Sequence, residues 1–110
     1  MIFYKWHQRQ FQNRTRAIIA MCDENLIGKK LSGKNCFLDL DTYRSFYIGE
    51  KVSLQQAHDL VKEYFLRGQH SEGVSFNLVG KEALAAVKQW VDVSKAKKIA
   101  GVPHLQVYKV

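Results

Sequence analysis

Proline occurs once in these 110 residues, glycine seven times and cysteine twice. So little proline and glycine leaves no room for a long unstructured tract. Cys22 and Cys36 are too few for a disulfide framework, and their spacing matches no zinc-ligand pattern. They read as two small apolar side chains buried in a reducing compartment. No apolar run approaches the roughly 20 residues of a membrane span. The opening Met1-Ile2-Phe3-Tyr4-Lys5-Trp6-His7 lacks the charged-then-apolar order of a secretory signal. The expectation is a cytoplasmic protein with no membrane partner. The chain also lacks a G-x-S-x-G elbow, a phosphate-cradling G-x-x-x-x-G-K-[ST] loop and an H-E-x-x-H pair. No metal, cofactor or catalytic residue is therefore expected.

What is present suits one small domain spanning residues 1–110. With 46% hydrophobic and 25% charged residues, the chain can bury a single core without crosslinks. Its formal net charge is +7, and the charge is segregated. Residues 1–34 carry +5, residues 35–94 carry −2 and residues 95–110 carry +4, the last segment without a single acid. Basic ends around a near-neutral middle make a patch and call for an acidic partner.

Periodicity places the elements. Residues 2–6 read as a strand, followed by a basic hairpin loop at about 8–16 and a buried strand through Ala17-Ile18-Ile19-Ala20-Met21. Asp23 is placed to cap a short helical turn that Gly28 stops. Lys29 to Asn35 reads as a second basic loop turning at Ser32-Gly33, and Cys36–Leu40 as a strand. Ser53-Leu54-Gln55-Gln56 fits a capping box. The helix it opens buries Ala57, Leu60, Val61, Tyr64 and Phe65 on one face and ends at Gly68. A strand at 73–78 precedes Gly80, and a second helix runs from Lys81 to about Val91. Lys95–Lys98 reads as a basic linker. After a turn at Gly101-Val102-Pro103, a final strand covers Leu105–Tyr108. The expected class is α/β, with α+β the variant. The architecture is a mixed sheet of about five strands and two main helices, with parallel pairing around the helices.

The basic clusters are the strongest functional signal. Arg9, Arg14 and Arg16 share a loop with Phe11. Guanidinium forks bind phosphate bidentately, and an aromatic ring stacks on an unpaired base. Lys29, Lys30 and Lys34 form a second cluster, and Lys95, Lys97 and Lys98 a third. A generically basic solvated surface is the plainer reading of the same residues.

His104 is held by Gly101 and Pro103 at a strand entrance. With Gln106 it could contact a ligand, or it could be a hydrogen-bonded side chain fixing the turn. Asp39 and Asp41 share a strand face. They could pair for acid–base chemistry, although solvated carboxylates flanking a turn are commoner.

Four segments together resemble a known family: Met21-Cys22-Asp23-Glu24-Asn25-Leu26-Ile27-Gly28-Lys29, Phe46-Tyr47-Ile48-Gly49, Asn77-Leu78-Val79-Gly80 and Gly101-Val102-Pro103-His104-Leu105-Gln106-Val107. Their order and spacing, from about Ile19 to Val110, resemble the archaeal domain-of-unknown-function family numbered 424. The resemblance implies a small α/β protein without assigned catalysis and an association with the translation machinery. The basic loop at Arg9–Arg16 departs from that family's shorter first hairpin.

The function expected is thus an RNA-binding component of the archaeal translation machinery, a small ribosomal or ribosome-associated protein. Its partners would be rRNA and ribosomal proteins, with no DNA specificity. Two rivals remain. One is a small-molecule binder or enzyme using the Cys22/Asp23 and Gly101–Gln106 elements. The other is a protein-interaction module using Phe3, Trp6, Phe46 or Tyr47.

Overall fold

β1 (Ile2–Phe11) and β2 (Arg14–Asp23) form a long antiparallel hairpin. The structure is a computed structural model that describes residues 1–11, 14–34, 36–66 and 74–108. Of residues 9–11, 14–16, 64–66, 74 and 108 it describes the backbone alone. A 3-10 turn at Glu24–Leu26 leads into a small hairpin, β3 (Lys30–Ser32) and β4 (Phe37–Asp39). Helix α1 (Arg44–Tyr47), β5 (Glu50–Val52), α2 (Leu54–Leu66), β6 (Val74–Val79) and α3 (Lys81–Val87) follow. A second 3-10 turn at Val93–Lys95 precedes β7 (Lys97–Ile99) and β8 (Val102–Tyr108). The main sheet has the order β5-β1-β2-β6-β8-β7, and β3 and β4 pair with each other. The fold is a single α+β domain.

The mixed sheet and its two main helices are as expected, and shorter elements add to the count of about five strands. The additional strands, β3, β5 and β7, span three residues each. That is too short to leave a period in the sequence. Lys95–Lys98, expected as a linker, supplies most of β7, which pairs antiparallel with β8. The turn expected at Gly101-Val102-Pro103 closes one residue earlier. Ile99 pairs with Val102 across a two-residue loop, Ala100-Gly101, in which both residues have positive φ (51° and 80°). That backbone suits the twist of a tight hairpin.

Parallel pairing is present once, between β2 and β6. The helices nevertheless make crossovers of the expected sense. Tracing directions through the pairings, β5 and β6 run the same way, with β1 and β2 between them. Likewise β6 and β7 run the same way, with β8 between them. Both connections step in one direction along the sheet. Because such crossovers share one hand, both helices fall on the same face.

That face is the main core. Ile2, Ile19, Met21, Phe76, Leu78 and Leu105 from the sheet pack with Ala57, Val61, Ala83 and Val87 from the helices. The opposite face carries a smaller core of Ala20, Cys22, Leu40, Tyr47 and Val79, covered by the β3–β4 hairpin and α1. Central strand β2 reads as an unbroken apolar run because both of its faces are covered. The capping box of α2 forms as expected: the Ser53 amide donates to Gln56 Oε1 at 2.8 Å, and the Gln56 amide donates to Ser53 Oγ at 3.1 Å. Tyr64 and Phe65, expected on the buried face of α2, have side chains outside the described set. The expected helix end at Gly68 also lies outside the described residues. Helix α3 is shorter than expected, loosening into a turn at Lys88–Trp90, yet Trp90 and Val91 still pack on the core.

Candidate functional site: a basic groove beside a junction of motifs

The four motif segments meet at the end of β6. Asp23 makes no side-chain cap on the turn that follows it. Its carboxylate instead reaches α3, 59 and 60 residues away, accepting from the Glu82 amide (3.2 Å) and the Ala83 amide (2.9 Å). Position 80, the residue preceding α3, is glycine with φ 106°, and a Cβ there would overlap the Asp23 carboxyl group. The Gly80 amide donates to the Pro103 carbonyl at 2.8 Å. Tyr47 Oη donates to Asn77 Oδ1 at 2.8 Å. Each segment thus completes a hydrogen bond or a packing constraint of another. Asp23, Asn25, Gly80, Lys81, Gly101 and Pro103 line a cleft of about 210 Å³, below the roughly 300 Å³ at which small-molecule sites begin.

The groups at this junction are committed to structure. Cys22 is fully buried, its thiol contacts the Asp23 carbonyl at 3.4 Å, and burial pushes it up to about 12. A thiol so far from ionisation is no nucleophile at neutral pH. Burial raises the Asp23 carboxyl above the usual range, while the two α3 amides pull it back. Asp39 and Asp41 are not a pair of facing carboxylates. Asp39 Oδ1 accepts from the amides of Asp41 (3.0 Å) and Thr42 (2.8 Å), closing the turn after β4.

A larger groove lies on the hairpin-bearing face, between the β3–β4 hairpin and the β7–β8 edge. Its volume is about 430 Å³, and Cys36, Phe37, Lys95, Lys97, His104 and Gln106 are among its walls. Among the described residues, no carboxylate lines it. Phe37 is 63% exposed, an unusual state for a phenylalanine. His104 lies in register with Val79 on one side and Lys97 on the other. Its Nε2 is enclosed and has no protein hydrogen-bond partner, the one such buried side-chain atom among the described residues. Burial, reinforced by the Lys97 charge, holds the imidazole below the ordinary histidine range. It is therefore neutral at pH 7.

The chain belongs to the family described as protein of unknown function, DUF424. The family model matches residues 11–110. A crystal structure of an uncharacterized conserved protein from Methanopyrus kandleri has a similar fold, with a TM-score of 0.80 and 24% identity. The match covers 97% of this chain and 90% of that one. At that identity the likeness speaks for the fold. No curated protein matches the chain.

The fold brings the hairpin that carries the second expected basic cluster against the strand that carries most of the third. The tip of the β3–β4 hairpin packs on β7: a Cβ at Gly33 would lie 3.8 Å from the Ile99 side chain. Lys34, next to Gly33, therefore lies at the end of the hairpin that meets β7, whereas Lys29 and Lys30 lie at its base. All six lysines of the two clusters are exposed, and none makes an ion pair among the described residues. Lys30 is partly offset, since Asp39 is its register partner.

The first cluster stays apart. The side chains of Arg9, Phe11, Arg14 and Arg16 lie outside the described set, but their register positions are given. Arg9 is the cross-strand partner of Arg16, and Phe11 that of Arg14. β5 pairs only with Ile2–Tyr4 of β1, and β6 only with Ala17–Cys22 of β2. Among the described residues the outer part of the hairpin pairs with no third strand and is a two-stranded ribbon. The Arg16 position is six residues up β2 from Cys22, whose row leads through Val79 and His104 to Lys97. That separation is about 20 Å along the strands.

Gly101, Pro103, His104 and Gln106 divide between the two sites. Gly101 and Pro103 belong to the small cleft, His104 and Gln106 to the groove. His104 sits inside β8 rather than at its entrance. Among the aromatics expected on the surface, Tyr47 is buried (4%) and Phe46 stacks on His7, with ring centroids 4.4 Å apart. Phe37 is a groove residue that the sequence pattern alone does not single out. A cue exists nonetheless: an aromatic between Lys34 and Asp39 in a three-residue strand too short to bury both faces.

Proposed function

We propose that the protein is an RNA-binding component of the translation machinery that meets rRNA with the hairpin-bearing face of its sheet. The observation that supports this most is a groove walled by Lys95 and Lys97, with no carboxylate among its described lining, against which the tip of a lysine-bearing hairpin packs. Six cations on adjoining elements, outside any ion pair among the described residues, form a surface that a polyanion neutralises by releasing counterions. The exposed ring of Phe37 adds a stacking surface, which single-stranded RNA uses and regular duplex does not. The β1–β2 ribbon, with arginines at three of its register positions, supplies a second contact beyond the sheet. Guanidinium groups on such a ribbon would bind backbone phosphates bidentately.

Ribosome co-sedimentation over a salt series tests the proposal. A subunit component stays with the particle at moderate salt. A protein found only in the free fraction at low salt would sink the idea.

A further inference from the structure

We propose that the groove between the β3–β4 hairpin and the β7–β8 edge is a pocket for one nucleotide, with the base stacked on Phe37 and its phosphate between Lys95 and Lys97. The inference deepens the RNA reading, taking the nucleotide to be an unpaired one in an RNA strand, and a free nucleotide shares the same chemistry. Three features point to it. The volume, about 430 Å³, lies within the range of small-ligand sites and is twice that of the neighbouring cleft. The polar and apolar parts are separated as a nucleotide needs them: lysines on β7 and the turn before it, an aromatic ring on the hairpin wall. The third is His104, a wall residue of the groove whose enclosed Nε2 has no partner among the described residues. Leaving such an atom enclosed costs stability, and sites of this kind mark places kept for something other than packing. Phosphate alone would need only the lysines, and an apolar ligand would not call for them. Ring and cations together specify a base with its phosphate.

Cys36 offers a built-in reporter. It is exposed on the groove wall, whereas Cys22 is fully buried, so a thiol reagent reads Cys36 selectively. The rate of Cys36 alkylation is measured in the folded protein with adenosine 5′-monophosphate, ribose 5-phosphate or a single-stranded oligoadenylate. Adenosine 5′-monophosphate and the oligonucleotide should protect Cys36, and ribose 5-phosphate should protect it far less. Phe37→Ala should weaken nucleotide binding about tenfold, the scale of one base stack, and Phe37→Trp should retain it. Equal protection by ribose 5-phosphate, or indifference to Phe37→Ala, overturns the pocket. If the oligonucleotide binds but ignores Phe37→Ala, the pocket fails while the RNA reading stands. If the mononucleotide binds through Phe37 but no RNA or ribosome association is found, the pocket stands and the RNA reading fails.

Discussion

Asp23 joins segments that are remote in sequence, and its chemistry can be dissected by substitution. The carboxylate caps α3 but is penalised by burial, so the two contributions oppose each other. Asp23→Asn keeps an acceptor oxygen and discards the charge. Asp23→Ala leaves the Glu82 and Ala83 amides without their partner. Thermal denaturation at pH 7 should therefore show Asp23→Ala destabilised by about 1–2 kcal/mol and Asp23→Asn much less affected. Gly80→Ala should be worse than either. It meets the Asp23 carboxyl and imposes a side chain at positive φ, a strain on the order of 1–3 kcal/mol before the overlap is counted.

His104 gives a pH signature of opposite origin. Its folded-state value is lowered, so the unfolded chain binds the proton more readily. Stability contributed by neutral His104 is complete above the unfolded value near 6.5 and is lost as pH falls below it. Denaturant midpoints measured downward from pH 7.5 should decline, and His104→Gln should flatten the part of that slope due to this residue.

Among the elements, the β7–β8 hairpin has a non-glycine residue at positive φ in its turn. Ala100 occupies a left-handed position, where a Cβ is unfavourable. Ala100→Asn would give an Asn-Gly turn, the favoured sequence for this geometry. We expect it to raise stability by roughly 0.5–1 kcal/mol, seen as a higher denaturant midpoint with unchanged slope.

The same elements explain what was legible in the sequence. Helix α2 was, because Ser53 and Gln56 announce its start and Ala57, Leu60 and Val61 mark one face. Strand β2 was, because its apolar run is continuous. β7 was hidden: in Lys97-Lys98-Ile99 only Ile99 is buried, and charged edge residues look like a linker. The role of Asp23 was hidden for another reason. Beside Glu24 and Leu26 it looks like a local cap, and only the tertiary fold reveals that its amides belong to α3. The groove required three segments to meet, so its lysines were visible singly but its shape was not.

For the whole molecule, the segregated charge resolves into two regions. One lies at the β7 side of the groove and on the hairpin that meets it, and the other on the β1–β2 ribbon about 20 Å along the strands. They can act on one nucleic acid only if it spans both. Salt dependence measures each share separately. Replacing Lys95 and Lys97 together by alanine should make the slope of log K against log salt shallower. The change should be about 0.7 for each phosphate of single-stranded RNA that is no longer neutralised. The melting temperature should hardly change, because both lysines are exposed and outside any ion pair among the described residues.

The tie between Asp23 and α3 also bears on how the chain comes to be folded. During synthesis Asp23 emerges long before Gly80, so the β1–β2 hairpin must wait with its terminal carboxylate uncommitted. A helix of seven residues is too brief to persist by itself. Its formation and its docking are thus one late, long-range event. Altering Asp23 should slow folding only if that closure already exists at the transition state, and should otherwise hasten unfolding.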